Sequence, residues 1–224
     1  MKMHVLMGLA LSPAALSAGI IASSGDVVLE TQAAATYIAD GFNDNCTVCP
    51  IHVWDELKGF AFRSPIVLDS DLADPTKYYG DGSGTSQVQI VSMGGPTVPA
   101  FKRINSYYAY QDPISNHTSM GTITFGANEM VLGVLVHDAS LAQTDFLRVA
   151  AAPYPLNPFF QARGLELGPE RLKLSADRRT LFLDLTASSP GDQLRIITME
   201  AIPEPGTVVL VAGALLAALS RRRR

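Results

Sequence analysis

The sequence predicts a mainly β body, an antiparallel β-sandwich or jelly roll, set between an N-terminal signal-peptide helix and a C-terminal apolar helix. Three observations predict it. Short runs of alternating apolar and polar residues crowd the second half, and Gly, Pro, Asn and Asp punctuate them. Hydrophobic residues make up 47% of the 224-residue chain and charged ones 17%, enough apolar content to bury one core rather than stay disordered. Setting aside Lys2 and Arg221–Arg224 leaves 12 basic against 21 acidic residues, a net charge of −9 for the middle. An acidic body has nothing to displace counterions from phosphates, so no nucleic-acid partner is expected.

Taken in order, Lys2 precedes an apolar run over residues 5–16, with small residues behind it. That is the layout of a secretory signal peptide, assigned here to residues 1–24, with cleavage after Ala18 or nearer Ser24. A β-rich extracellular domain is assigned to residues 25–202. Helix is expected over residues 28–37, which hold Ala33, Ala34 and Ala35, and for a turn or two over residues 54–60.

Strands are expected over residues 87–92, 104–110, 122–125, 131–136, 171–175, 180–186 and 193–199. In 180–186, Leu181, Leu183 and Leu185 share one face, with Phe182, Asp184 and Thr186 on the other. Pro190, Gly191 and Asp192 separate the last two runs, and Asp177, Arg178 and Arg179 read as a hairpin turn.

The tail, residues 203–224, carries the most specific pattern. Pro203, Glu204 and Pro205 precede a 14-residue apolar stretch, and Arg221, Arg222, Arg223 and Arg224 follow it. As a helix the stretch spans about 21 Å, short of the ~30 Å hydrocarbon core. It suits transient anchoring, with the arginines held cytoplasmic as a membrane stop and the body outside. The two prolines keep Glu204 extended and accessible.

This arrangement resembles the PEP-CTERM sorting signal, a tail also catalogued at the C-terminus of some ice-binding proteins. The resemblance implies recognition by an exosortase, a membrane cysteine transpeptidase-like enzyme that removes the tail and releases the body to the surface or matrix. Such proteins occur in exopolysaccharide- and biofilm-forming Gram-negative bacteria. The body from about residue 85 to 200 also resembles other exported β-rich PEP-CTERM proteins. Thr122-Ile123-Thr124-Phe125, Val131-Leu132-Gly133-Val134-Leu135, Ala162-Arg163-Gly164-Leu165, Leu174-Ser175-Ala176-Asp177 and the stretch 188–198 carry that likeness. The implied partners are the export translocon, an exosortase and exopolysaccharide.

Chemistry in the body is sparse. Cys46 and Cys49 are the only cysteines, and in an oxidising compartment they most simply form a local disulfide. A thioredoxin-like site wants a βαβ context, and a metal site would draw in His52 and Asp55. Asp69, Asp71, Asp74 and Asp81 offer oxygen ligands of the kind calcium takes, without the EF-hand spacing, so solvated loop carboxylates are the plainer account.

Tyr78, Tyr79, Tyr107, Tyr108 and Tyr110 suit sugar stacking or half-buried strand positions equally. An ice binder should show flat threonine arrays, whereas these threonines are scattered along the chain. His137 with Asp138, and Glu166 with Glu170, are weak catalytic candidates, because nothing fixes their geometry. Asn45 and Asn116 each open an Asn-x-Thr sequon.

No enzymatic activity, cofactor or metal is expected. The expectation is a non-enzymatic cell-surface or extracellular-matrix protein sorted by an exosortase. The alternative is a carbohydrate- or calcium-binding extracellular module.

Overall fold

The computed structural model describes residues 19–30, 46, 49–70, 72, 96–149, 164–165, 170–187 and 191–200. Strands β1 (Ile20–Gly25), β2 (Val27–Leu29), β3 (Ile51–Ala61), β4 (Ile66–Val67), β5 (Thr97–Val98), β6 (Arg103–Gln111), β7 (His117–Phe125) and β8 (Glu129–Leu135) come first. The short helix α1 (Asp138–Gln143) and a 3-10 turn (Asp145–Leu147) follow, then β9 (Arg171–Leu174), β10 (Thr180–Ala187) and β11 (Asp192–Glu200). The chain is mainly β, as the alternating runs predict. The expected strand over residues 87–92 lies outside the described residues, as do segments 1–18 and 203–224, where the terminal helices are expected.

One sheet has the order β1-β7-β10-β9, a second β2-β3-β6-β11-β8, and β4 pairs with β5. Every pairing is antiparallel except β2 with β3, a departure from the all-antiparallel expectation. Parallel neighbours need a long connection between them, and residues 30–50 separate β2 from β3 in the sequence. After β1 the chain turns at Gly25 and Asp26 and enters β2 in the other sheet. Gly25 has a φ of +68°, and a Cβ there would sit 2.3 Å from the Met120 carbonyl oxygen, so only glycine fits. Asp26 seals the turn: its amide donates to the Met120 carbonyl at 2.8 Å, and its carboxylate accepts from the Met120 amide at 3.0 Å.

Leu181, Leu183 and Leu185 face inward as predicted, each wholly buried. They join Ile123 and Phe125 of β7 in a cluster that also takes Ile51 and Val53 of β3, Tyr107 of β6 and Ile196 of β11. Both large sheets therefore contribute to one apolar core, and each such leucine stabilises the fold by about 1.5–3 kcal/mol. A second cluster lies on the other side of the five-stranded sheet. Trp54, Tyr108, Tyr110 and Ile197 meet Leu141 of α1, Leu147, and Ile66 and Val98 of the small sheet. Because both faces of the five-stranded sheet are covered, β6 and β11 are buried along almost their whole length.

Two helix expectations are corrected. Residues 54–60 lie within β3, where register shifts fall between Asp55 and Leu57 and between Leu57 and Phe60. Such bulges break the two-residue alternation and leave Trp54, Leu57 and Phe60 at the three-residue spacing that mimics a helix. Of residues 28–37, the first two belong to β2, and 31–37 lie outside the described residues. β1, all but its last residue Gly25, falls inside the segment assigned to the signal peptide.

Candidate functional site

Cys46 and Cys49 are joined as a disulfide with Cα atoms 5.4 Å apart. The other members of the considered metal set are engaged elsewhere. His52, on β3, pairs through Nδ1 with Glu30 Oε1 at 2.8 Å, and Asp55 pairs with Lys58 Nζ at 3.1 Å. Among the described residues no group of three or more His, Cys, Asp or Glu is placed to hold a metal ion.

Asp69 is a loop carboxylate, as expected, but one engaged at the start of α1 rather than solvated. Its Oδ2 accepts from the Val136 amide at 2.6 Å and the His137 amide at 2.9 Å, while Oδ1 accepts from Ser140 Oγ at 2.5 Å. The N-cap residue of α1, His137, makes no side-chain cap bond, so Asp69 supplies that function from a distant loop. Asp71, Asp74 and Asp81 lie outside the described residues.

The tyrosines of β6 are core residues rather than platforms: Tyr107, Tyr108 and Tyr110 are 0%, 0% and 2% exposed. Their hydroxyls anchor buried polar networks. Tyr108 donates to Gln193 Oε1, and Tyr110 donates to Asp112 Oδ2 at 2.7 Å. Tyr107 donates to Glu129 Oε1 at 2.5 Å, and Asn105 Nδ2 donates to the same oxygen at 2.8 Å, as does Thr198 Oγ1. Burial, then the hydrogen bond and negative charge of Glu129, hold the Tyr107 phenol far above its ordinary pKa. Tyr78 and Tyr79 lie outside the described residues.

A second network surrounds Arg195 on β11. Its Nε and Nη2 donate to Glu56 Oε2 and Oε1 at 2.6 and 2.9 Å, a fork with both side chains 0% exposed. Nη1 donates to the Leu141 carbonyl at 3.1 Å and to Thr144 Oγ1 at 2.5 Å, which ties α1 to the sheet. Sequence reasoning missed this pair because the two residues stand 139 positions apart, on strands whose bulges and two-sided burial hide the pattern.

Of the weak catalytic candidates, His137 and Asp138 serve α1 and its surroundings. Asp138 Oδ1 accepts from the Gly164 amide at 2.7 Å. Glu170 is buried at 1% exposure, and Glu166 lies outside the described residues. Asn116 sits exposed immediately before β7, and Asn45 lies outside the described residues.

The threonines, scattered in sequence, are gathered in space. On the outer face of the four-stranded sheet, Thr118 bonds Thr186 at 2.9 Å, Ser24 bonds Thr122 at 2.7 Å, and Thr124 meets Thr180 at 3.4 Å. Met120, Phe182 and Asp184 interrupt this array.

Exposed aromatics occur elsewhere. A cleft of about 350 Å³ between the β3–β4 connection and α1 is lined by Phe62, Arg63, Ile66, Gln143, Thr144 and Phe146. Phe146 packs edge-on against Phe62, with centroids 5.3 Å apart, and is 56% exposed. The Phe60-Ala61-Phe62 alternation is the signal that could have pointed there.

The described body thus offers buried networks that lock its strands together and one aromatic cleft at its surface. Compared with known proteins, the chain matches no family model, no curated protein and no solved structure.

Proposed function

We propose that the protein is an exported, non-enzymatic cell-surface or extracellular-matrix protein, held briefly in the cytoplasmic membrane and then sorted by an exosortase. The tail carries this reading: Pro203, Glu204 and Pro205, an apolar stretch too short for comfortable permanent anchoring, and Arg221–Arg224 stand in the order such processing needs. The fold supports it in one respect. β11, paired on both sides within the five-stranded sheet, ends at Glu200, three positions before Pro203 in the sequence. We also propose that the two large sheets stack as a β-sandwich, which the core shared between them supports.

The test is a pair of variants in a host that makes the processing enzyme. Glu204→Ala should stay in the membrane with its body outside and folded. Replacing the four arginines removes the cytoplasmic stop and should let the weak helix slip through unprocessed. If Glu204→Ala is processed as fast and as completely as wild type, a plain tail anchor becomes the better account.

A second reading, a sugar-binding module, rests on the cleft beside Phe62 and Phe146, with Arg63 as a polar partner. Glycan-array binding that Phe146→Ala abolishes would establish it. No binding by wild type would remove it.

A further inference from the structure

We propose that export leaves Gly19 as the mature N-terminus, and that its freed α-ammonium forms a buried ion pair with Glu129. The inference rests on the export reading and deepens it, because the sequence alone leaves cleavage open between Ala18 and the neighbourhood of Ser24.

Two observations place the cut. The first is that residues 20–25 belong to the folded body. Strand β1 pairs with β7 from Ile20 opposite Phe125 to Gly25 opposite Gly121, and Ile20 packs against the main core. The Gly126 amide donates to the Gly19 carbonyl at 2.9 Å, so Gly19 too is tied to the loop after β7. Cleavage near Ser24 would remove most of this strand and uncover the β7 edge it pairs with.

The second observation is an anion waiting at that point. Glu129 is 0% exposed. Its Oε1 takes the neutral donors Asn105, Tyr107 and Thr198, whereas Oε2 takes the backbone nitrogen of Gly19. Among the described residues no Lys, Arg or His lies within ion-pairing distance of Glu129. Lys58 Nζ reaches Tyr107 Oη, not Glu129, at 2.6 Å and pairs with the exposed Asp55. A buried carboxylate served only by neutral donors is costly, and a cation at one of its oxygens relieves that cost.

Hydrolysis supplies the cation without moving an atom of the strand. A signal peptidase adds water across the Ala18–Gly19 peptide bond. The C–N bond breaks, the hydroxyl stays with Ala18 as a carboxylate, and Gly19 keeps the nitrogen, which takes up protons to become an ammonium. Before the cut, Gly19 gives Glu129 one neutral N–H. Afterwards it gives a charged donor at the same place. Glycine suits the uncut chain at this position, where φ is +121°.

The full-length chain, expressed with export in a Gram-negative host and extracted in detergent, tests both steps. N-terminal sequencing should read Gly19-Ile20-Ile21. An amine-reactive acylating reagent, followed by mass spectrometry of the N-terminal peptide, should label Gly19 at least about tenfold more slowly in the folded protein than in denaturant, the ratio one unit of amine pKa sets. Glu129→Gln should lose that protection. If that variant does not fold, the wild-type comparison between folded and denatured protein decides alone.

An exported protein beginning at Ser24 or beyond overturns the inference and leaves the export reading standing. Gly19 labelled equally fast in both states overturns the ion pair. Intact Met1 on the purified protein overturns both the inference and the export reading.

Discussion

Glu56 is the partner that lets Arg195 be buried, so Glu56→Gln should be among the most damaging single changes in the body. The substitution keeps the shape of the side chain and one acceptor oxygen but removes the charge. Arg195 is 0% exposed and has no water to turn to. It holds Glu56 through two bonds of 2.6 and 2.9 Å, and a third partner, Ser106 Oγ, donates to the same carboxylate at 2.5 Å. Breaking one side of such a pair costs about 3–5 kcal/mol, because the remaining charge keeps only weaker compensation, here from the more distant Asp145 carboxylate at 3.5 Å from Nη2. Against a total stability of roughly 5–15 kcal/mol, that is a large share. At about 2–4 °C per kcal/mol for a domain of this size, the melting temperature should fall by about 6–20 °C.

The converse change should be mild. Glu56→Leu with Arg195→Met removes both charges and fills similar volume, and such replacements are often neutral or stabilising. A residue of about 1–2 kcal/mol should remain, since the Leu141 carbonyl and Thr144 Oγ1 lose their donor. Trp54 makes the assay simple: it is the only tryptophan, 1% exposed, with its ring centroid 5.3 Å from that of Tyr108. Urea unfolding followed by its fluorescence gives all four corners of the cycle. A loss below about 1 kcal/mol for Glu56→Gln, or a double variant as unstable as the sum of the singles, would refute the reasoning.

Four further outcomes are expected. Gly25→Ala should lose at least about 2 kcal/mol, since the Cβ meets the Met120 carbonyl at 2.3 Å in a left-handed backbone; thermal melting checks it. Asp69→Ala should cost about 2 kcal/mol and speed amide exchange at the start of α1, whereas a rate equal to wild type would deny it the capping role. Replacing Cys46 and Cys49 by alanine should cost about 2 kcal/mol, the small value expected for so short a loop. Finding two free thiols by non-reducing mass spectrometry would count against the bridge. Asp184 has its pKa raised by burial, only partly offset by Arg171, so its charged form is disfavoured in the folded state. That penalty is present above the folded pKa and vanishes below the ordinary carboxylate value, so Asp184→Asn should stabilise the protein at pH 7 and leave it unchanged near pH 3.

How much of the fold the sequence discloses depends on how each strand is buried. β10 has one face in the core and one outside, so Leu181, Leu183 and Leu185 alternate cleanly with Phe182 and Asp184 and are legible at once. β3 is legible only as something apolar, because its two bulges shift the alternation to a helical spacing. β1 is hidden for a different reason: an apolar segment with small residues, following the apolar run over residues 5–16, reads as a continuation of it. Only the ladder to β7 reveals it as a strand. β4 and β5, at two residues each, are too short to carry a period.

The site is less legible than the fold, and the cause lies in sequence distance. Asp69 reads as one of several loop carboxylates until Val136, His137 and Ser140, about 70 positions away, fold onto it. Tyr107, Tyr108 and Tyr110 read equally as a surface platform or as half-buried strand residues, because tyrosine suits an amphipathic strand, but cover on both faces of the five-stranded sheet buries all three. Their hydroxyls then require acceptors, and Glu129, Gln193 and Asp112 answer that requirement. The polar residues that first look like chemistry are thus what lets wholly buried strands satisfy their own hydrogen bonds.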